Sequence, residues 1–587
     1  MAHFNENKTM NFSYLENLIS SGAREINLDF DIVLDDFEAA RYQHGIEIKR
    51  DKLIINGNGH VIDARNRTGI FLNQGQNIVF KNINFINGFS RDGWSVLVNF
   101  HGSMEISDCK FKNNVAELGT LVNMGQMKIQ NCIIEDNRSR YAGGINNQEG
   151  SLEISASKFI GNNVPGNSGA VDVEGGSVDI MDCEFIKNES GRIGGAIFSI
   201  GKVRCRNTKF ISNQAEFDGG AINNQPGAIL ELLNTEFINN KSDRNGGGIS
   251  NAGKLTVKDS LFKDNYAGTD GGAINSQPDE LINNNEEMIM PTGNNGDLNN
   301  DSKEDIYKSY AEISNSRFLN NKAKDIGGSL TNWSKASIKD SLFESNEANY
   351  GGAVNNQPGA RLELEDTLFE KNIASKIGAA VCNYGQMEAL KNIFKNNNAN
   401  GDGGAINNQP GARMNIDDCE FSKNSSKDAG GAIYNWEDLR INNGTFDENT
   451  SLEGLSIVNR KKTSISNSKF TNHTGNDIII NNNDLNIRDS IFEKNNSQSI
   501  IKNQEDGILS INYGSFNDND NLKSTIYNIG KSCSIAESIF ENNKSKEGYA
   551  DIYNESELKL KSPQFKNTED NKQLNNEKDR INNLLCQ

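Results

Sequence analysis

One phrase recurs through the chain every 22 to 27 residues. It consists of two alternating apolar residues, a small polar residue, phenylalanine, asparagine and a Gly-Gly-Ala-Ile-like segment. The phenylalanine position marks nineteen units: Phe85, Phe111, Ile134, Phe159, Phe185, Phe210, Phe237, Phe262, Phe318, Phe343, Phe369, Phe394, Phe421, Phe446, Phe470, Phe492, Phe516, Phe540 and Phe565. A fixed period of this length predicts a solenoid, in which each unit packs only on its neighbours.

Within each unit the apolar residues alternate, as they do in β-strands. Leu362 and Leu364, for example, would point inward while Glu363 and Glu365 point outward. A second short strand runs to the phenylalanine, and a third contains the Ala-Ile-x-Asn segment. No unit has room for a crossover helix. We therefore predict an all-β fold, a parallel β-helix of about nineteen turns over residues 51–565.

Side chains of one type recur at fixed distances from the phenylalanine. Asparagine lies three residues after it from Asn114 to Asn543, with His473 as the one break. We expect these asparagines to form hydrogen bonds from turn to turn and to tolerate the left-handed backbone conformation. Ser, Thr or Cys two residues before the phenylalanine suits a crowded bend, and the Gly-Gly pairs suit close approach between turns.

The two ends of the chain depart from the repeat. Residues 1–50 are predicted to form an N-terminal cap, with a capping box at Ser13–Glu16, a helix that stops at Gly22 and a strand over Ile26–Ile32. Residues 566–587 are predicted to form a polar C-terminal cap or tail. The first eight residues show no basic segment followed by an apolar run, so we expect no signal peptide, and no stretch is apolar enough to span a membrane.

Charge and cysteine usage exclude several classes of protein. The net charge of -19, mixed in sign along the chain, argues against a nucleic-acid partner. Most of the eight cysteines occupy positions of small or apolar residues, so we expect buried thiols, and the five histidines show no zinc-ligand spacing.

The repeated phrases Phe-x-x-Asn and Gly-Gly-Ala-Ile resemble the repeat of polymorphic outer-membrane proteins and of adhesin-like β-helix proteins of methanogenic archaea. Good matches are Phe237–Asn240 with Gly219–Ile222, and Phe421–Asn424 with Gly430–Ile433. The segment Leu53–Ala64 looks like the first turn of pectin-lyase-like folds. The resemblance implies a right-handed β-helix, a cell-surface or secreted location and adhesion to a carbohydrate or a cell-surface protein. A cytoplasmic location stays open, because no signal peptide is visible.

An enzyme of the pectin-lyase-like fold is the first alternative function. Such hydrolases and lyases need clustered carboxylates on one face, with a basic residue nearby. The pairs Asp35–Asp36 and Asp417–Asp418 are isolated in sequence, so we predict no catalytic residue. Three or more carboxylates that converge beside a basic residue would favour the enzyme. A structural or intracellular scaffold is the second alternative.

One pattern outside the core points to ligand binding. Three residues past the isoleucine of the Gly-Gly-Ala-Ile phrase, Gln357 and Gln409 alternate with Trp333, Tyr384 and Trp436. Aromatic faces with amide neighbours suit stacking against sugar rings. These five residues are therefore the candidate ligand-binding residues; the alternative is that the aromatic residues cover a turn.

An acidic insertion replaces the usual turn over residues 279–308. Within it Asp297, Asn299, Asp301 and Asp305 have the alternating spacing of oxygen ligands in a calcium loop. The turn glycine and the terminal glutamate of such loops are missing, so a disordered acidic loop is the alternative. Ca²⁺ at this loop is the one cofactor that the sequence suggests.

Overall fold

The computed structural model describes residues 9–91, 95–278, 309–547, 551–567 and 574–576. Its contacts divide the chain into two compact units, the first with the described residues up to 278 and 309–311, the second with those from 312 onwards. Each unit is a parallel β-solenoid, so the predicted fold class is confirmed. The handedness stays a prediction.

A typical turn of the first unit contains the strands Ser177–Met181, Glu184–Ile186, Glu189–Ser190 and Ile197–Ser199. Its counterpart in the second unit contains Arg361–Glu365, Leu368–Glu370, Ile373–Ile377 and Val381–Asn383. Three of these strands were predicted. The fourth, a short strand after the phenylalanine strand, was not, because it is often only two residues long and has no apolar alternation.

One set of strands contains the apolar pairs, and a second set contains the phenylalanines. The first strands are Glu25–Asn27, Leu53–Asn56, Ile78–Lys81, Ser103–Ser107, Gln126–Gln130, Ser151–Ser155, Ser177–Met181, Lys202–Arg206, Ile229–Leu233, Lys254–Lys258, Tyr310–Ser314, Lys335–Lys339, Arg361–Glu365, Gln386–Leu390, Arg413–Asp417, Asp438–Asn442, Lys462–Ser466, Asp484–Arg488, Ile508–Asn512, Ser532–Ala536 and Glu557–Lys561. The phenylalanine strands are Thr9–Met10, Asp31–Val33, Val61–Asp63, Asn84–Ile86, Lys110–Lys112, Ile133–Glu135, Lys158–Ile160, Glu184–Ile186, Lys209–Ile211, Glu236–Ile238, Leu261–Lys263, Arg317–Leu319, Leu342–Glu344, Leu368–Glu370, Ile393–Lys395, Glu420–Ser422, Thr445–Asp447, Lys469–Thr471, Ile491–Glu493, Ser515–Asn517, Ile539–Glu541 and Gln564–Lys566.

The remaining strands complete the turns. The short strands are Val115–Ala116, Arg138–Ser139, Asn163–Val164, Glu189–Ser190, Gln214–Ala215, Lys241–Ser242, Tyr266–Ala267, Lys322–Ala323, Glu347–Tyr350, Ile373–Ile377, Asn398–Ala399, Ser425–Ser426, Thr474–Gly475, Asn496–Ser497, Asp520–Asn521 and Lys544–Ser545. The strands that close each turn, called the third strands below, are Ile46–Ile48, Phe71–Asn73, Leu97–Asn99, Gly119–Asn123, Ala142–Asn147, Val171–Val173, Ile197–Ser199, Ile222–Asn224, Ile249–Asn251, Ile274–Ser276, Leu330–Asn332, Val354–Asn356, Val381–Asn383, Ile406–Asn408, Ile433–Asn435, Ile457–Asn459, Ile479–Asn481, Ser499–Asn503, Ser524–Asn528, Ile552–Asn554 and Leu574–Asn576.

The two units together contain about 21 turns, so the prediction of about nineteen was slightly too low. The missed turns are the first two. In the phenylalanine strands Ile32 pairs with Ile62, and Ile62 pairs with Phe85, all in parallel register. These turns have isoleucine at the phenylalanine position, so the repeated phrase does not identify them.

The N-terminal helix spans Phe12–Ser20 and buries Phe12, Leu15 and Ile19. The capping box predicted at Ser13 is wrong: the N-cap residue is Asn11, whose side chain accepts a hydrogen bond from the Tyr14 backbone N–H at 3.0 Å. An asparagine at this position satisfies one of the unpaired N–H groups of the first helical turn.

The core of each unit contains a stack of phenylalanine rings. In the second unit the ring centroids of Phe343 and Phe369 are 5.0 Å apart, and those of Phe369 and Phe394 are 5.1 Å apart, with nearly parallel planes. All three side chains are fully buried. Parallel pairing in register, Phe343 with Phe369 and Phe369 with Phe394, produces this spacing.

The predicted asparagine ladder is confirmed. Asn372 illustrates its geometry: its backbone N–H and its Nδ2 both donate to Oδ1 of Asn397 at 3.0 Å, and Nδ2 also donates to the carbonyl of Phe343 at 2.9 Å. The left-handed conformation lies one residue earlier than expected, for example at Lys371 with a φ of 56°. The ladder asparagine is therefore selected for its amide and not for its backbone.

A second asparagine ladder lies at the ends of the third strands. Asn356 Nδ2 donates to Asn383 Oδ1, and Asn383 Nδ2 to Asn408 Oδ1, both at 2.8 Å. The repeated phrase does not reveal this ladder, because Val173, Ser199 and Ser276 interrupt it. It fixes the point at which the chain leaves the third strand, and thereby the position of the residue that follows.

Candidate functional site

The candidate ligand-binding residues lie in the second unit, each directly after an asparagine of the second ladder. The backbone N–H groups of Gln357, Tyr384, Gln409 and Trp436 donate to ladder carbonyls of the preceding turn at 2.8 to 2.9 Å. Trp333 takes the same position after its third strand. The structure thus brings all five residues together in one row along consecutive turns, which we call the outer row.

The glutamines of the outer row bind to their own strands. Nε2 of Gln357 donates to Oδ1 of Asn355 at 2.7 Å, and Nε2 of Gln409 to Oδ1 of Asn407 at 2.5 Å. Gln357 is only 8% exposed. Asn355 and Asn407 are the middle residues of their third strands and are fully buried. An Asn-x-Gln pair therefore covers the outer side of the strand.

Tyr384 is half-buried beside a thiol. It follows the third strand that contains Cys382, which is fully buried at the middle position. Burial raises the pKa of Tyr384 well above its usual range, and it raises the pKa of Cys382 to about 12. Both groups are neutral at physiological pH, so this turn offers an aromatic surface with no charge of its own.

Trp436 is the most exposed member of the outer row, at 41%. Its ring centroid lies 5.5 Å from that of Tyr434, and the guanidinium carbon of Arg460 lies 5.9 Å from the Trp436 centroid. Nε of Arg460 donates to the Tyr434 hydroxyl at 2.8 Å. These three residues, an exposed indole and a tyrosine with one guanidinium over both rings, are called the Trp436 cluster.

Carboxylates lie near Arg460 of the Trp436 cluster. Arg460 forms an ion pair with Glu453 at 3.9 Å. Burial raises the pKa of Asp402; the carboxylate of Asp428 raises it further, and the guanidinium of Arg460 opposes the shift. The cluster therefore combines an aromatic face, hydrogen-bond acceptors and one cation.

Sequence reasoning missed Tyr434 and Arg460. Arg460 continues the outer row one turn beyond Trp436, since its N–H donates to the Asn435 carbonyl at 2.8 Å. Tyr434 occupies the middle position that asparagine fills in the Asn-x-Gln turns. Counting residues from the isoleucine of the third strand, Ile433 or Ile457, would have found both.

The possible calcium ligands Asp297, Asn299, Asp301 and Asp305 lie outside the described residues, so the calcium loop stays a prediction. Among the residues that the structure describes, no group of three or more His, Cys, Asp or Glu side chains is placed to hold a metal ion.

His473 replaces an asparagine of the first ladder and is fully buried. Its Nδ1 lies 3.2 Å from Oδ1 of Asn495, and its Nε2 lies 2.6 Å from the Ser456 hydroxyl. Because the amide oxygen can only accept, Nδ1 carries the proton and Nε2 accepts from Ser456. Burial lowers the pKa of His473 from 6.5 to about 4.

This histidine predicts a pH-dependent loss of stability. Between pH 6.5 and pH 4 the unfolded chain binds a proton that the folded chain does not, so stability falls with falling pH by about 3 kcal/mol in total. His473→Asn restores the ladder residue and removes this contribution. Urea unfolding of both proteins at pH 7 and pH 4 measures the difference.

The exposed His101 supplies the control. His101→Asn makes the same replacement of an imidazole by an amide at an exposed position. Equal pH dependence in His473→Asn and the wild type would contradict the prediction.

Two segments of the chain, residues 234–252 and 418–435, match the Chlamydia polymorphic membrane protein (Chlamydia_PMP) repeat. This confirms the resemblance to the polymorphic outer-membrane protein repeat. The second segment ends at Asn435, next to Trp436. No curated protein matches the chain in sequence.

Two solved structures of the PL6 family alginate lyase AlyGC are similar to this chain. A mutant of that lyase shares 10% identity over 95% of this chain and 96% of its own, with a TM-score of 0.26. The other AlyGC structure shares 9% identity over 95% of this chain and 99% of its own, with a TM-score of 0.21.

Within the described part of the chain no helix has the length and apolar character needed to cross a membrane.

Proposed function

We propose that this protein is an adhesin-like, non-enzymatic recognition protein that binds carbohydrate at the Trp436 cluster. The observation that carries the proposal is the exposed indole of Trp436, which has the guanidinium of Arg460 over its ring. A sugar ring stacks on an indole face through its C–H groups, while its hydroxyl groups take hydrogen bonds from charged neighbours.

The rest of the outer row extends this surface. Trp333 and Tyr384 are half-buried and lie in earlier turns of the same unit. Turns in a solenoid are about 4.8 Å apart, so Trp333, Tyr384 and Trp436, each two turns from the next, follow one another at about 10 Å along the row. Binding to a polysaccharide would therefore use the Trp436 cluster first and the other aromatic residues as secondary contacts.

The repeat match supports a location at the cell surface, where a carbohydrate or a surface protein would be the partner. Mixed surface charge makes a nucleic-acid partner unsuitable, because no basic stripe recurs along the sequence.

The test is glycan-array binding of the full chain followed by titration of the best ligand. We expect Trp436→Ala to weaken binding about tenfold or more, since loss of a stacking contact costs about 1.4 kcal/mol. Trp436→Phe should retain part of the affinity because it keeps a ring.

A matched control removes another exposed aromatic residue of the same unit. Tyr513 is 53% exposed and lies beneath Arg488, at 6.0 Å. Tyr513→Asn introduces the residue that Asn443 and Asn467 supply at the same turn position, and it should bind like the wild type. Equal affinity of all the variants would refute binding at Trp436, and the scaffold function would then be favoured.

A second candidate function, a polysaccharide lyase or hydrolase, is favoured by one observation. Partial burial raises the pKa of Asp402, the carboxylates of Asp428 and Glu453 raise it further, and Arg460 opposes the shift. A carboxyl with a raised pKa is suited to act as a general acid. Shortening of the bound polysaccharide during the binding experiment would favour this function over simple recognition.

A further inference from the structure

One turn of the first unit has carboxyl groups at both positions of the Asn-x-Gln pair. In three turns the glutamine of this pair donates to the middle asparagine: Gln225 to Asn223, Gln357 to Asn355 and Gln409 to Asn407. In the third strand Val171–Val173 the middle residue is Asp172, and two residues later comes Glu174. Both amides of the pair are thus replaced by carboxyl groups, which have no N–H to donate.

Three buried oxygens in this turn and the preceding one have no hydrogen-bond donor in the described ranges of the chain. Asp172 is 2% exposed, and no described residue forms a hydrogen bond with its Oδ1. The Oδ1 atoms of Asn146 and Asn167 are also buried and without a hydrogen-bond partner. Native proteins rarely leave buried acceptors in this state, and a bound ion is one of the few explanations.

The topology brings these groups to one place. Asn146 pairs with Asp172 in parallel register, and Nδ2 of Asn146 donates to Oε1 of Glu174 at 3.1 Å. Asn167 precedes Asp172 by five residues. At the same offset in the second unit, Nδ2 of Asn407 donates to the backbone carbonyl of Asp402 at 3.4 Å, so the chain at this offset passes beside the middle residue.

We propose that Asp172, Glu174, Asn146 and Asn167 form a Ca²⁺ site on the outer side of the third strands. Calcium takes carboxylate and amide oxygens as ligands and completes its coordination with water. Glu174 is exposed and gives the ion a path from solvent. Burial raises the pKa of Asp172 well above its usual value, and the charge of Glu174 raises it further. A bound cation offsets both effects.

With two carboxylates and two amides the site should bind Ca²⁺ with a Kd of about 0.1–1 mM, the range of extracellular calcium modules. Calorimetric titration of the full chain with CaCl₂ measures this affinity. The double variant D172N/E174Q introduces the Asn-x-Gln pair found at Gln357 and Gln409, so it should fold normally and lose the site.

The control variant D297N/D301N removes the same number of charges from the acidic insertion. We expect it to keep the heat of binding that D172N/E174Q loses. Loss of binding in the insertion variant alone would place the ion elsewhere and overturn the proposal. A wild-type chain that binds no Ca²⁺ would also overturn the proposal. In that case the two carboxyl groups could share a proton, and D172N/E174Q would change only the pH dependence of stability.

Discussion

Replacement of Asn372 by leucine is expected to destabilise the second unit by about 3–5 kcal/mol. Its side chain accepts hydrogen bonds from the N–H and Nδ2 of Asn346 and donates to Phe343 and Asn397. Leucine fills the space but leaves several buried polar groups unpaired, at about 1–3 kcal/mol each. Urea unfolding followed by circular dichroism measures the loss.

Hydrogen exchange should show where the loss occurs. Solenoid turns are coupled mainly to their neighbours, so protection should fall in the turns of Asn346, Asn372 and Asn397 and stay unchanged in the first unit. Asn400 is exposed and forms no side-chain hydrogen bond in the structure, so Asn400→Leu is the control. A similar loss in both variants would show that the ladder adds nothing to stability.

The second large effect is expected at Phe369. Its ring is fully buried between Phe343 and Phe394. Phe369→Ala removes both stacking contacts and leaves a cavity, which costs about 3–5 kcal/mol. The midpoint of urea unfolding of the second unit should fall accordingly.

A natural variation in the first unit supplies the comparison. Ile134 occupies the stack between Phe111 and Phe159. Because an aliphatic side chain fits there, Phe369→Ile should cost no more than about 1.5 kcal/mol. If isoleucine proved as damaging as alanine, the loss would come from aromatic stacking and not from the cavity.

Much of the fold could be predicted because each structural position uses one residue type at a fixed spacing. The phenylalanine stack and the first asparagine ladder both follow from the period. The first two turns do not follow from the period, since Ile32 and Ile62 occupy the phenylalanine position there. The second ladder was missed for a similar reason, because Val173 and Ser199 interrupt it.

The candidate site could be predicted only in part. The outer row follows from counting residues after each third strand, so Trp333, Tyr384 and Trp436 were found. The contacts of Trp436 were not, because Arg460 reaches it from the next turn and the repeat does not say which side chains meet between turns. The pairing of Gln357 with Asn355 likewise depends on side-chain conformation.

The bonds between asparagine side chains in the first ladder all run the same way, from Nδ2 to the Oδ1 of the turn that follows, as from Asn346 to Asn372 and from Asn372 to Asn397. His473 interrupts them in the second unit. Within each unit their dipoles therefore add, as peptide dipoles do in an α-helix, and the two ends of that unit's ladder differ in polarity. In the first unit the accepting end, Asn114 Oδ1, is satisfied by the backbone N–H of Gly88 at 2.8 Å. In the second unit the donating end, Asn543 Nδ2, meets the carboxylate of Asp551 at 3.1 Å. An anion at the donating end is the electrostatic counterpart of an acidic residue at a helix N-terminus.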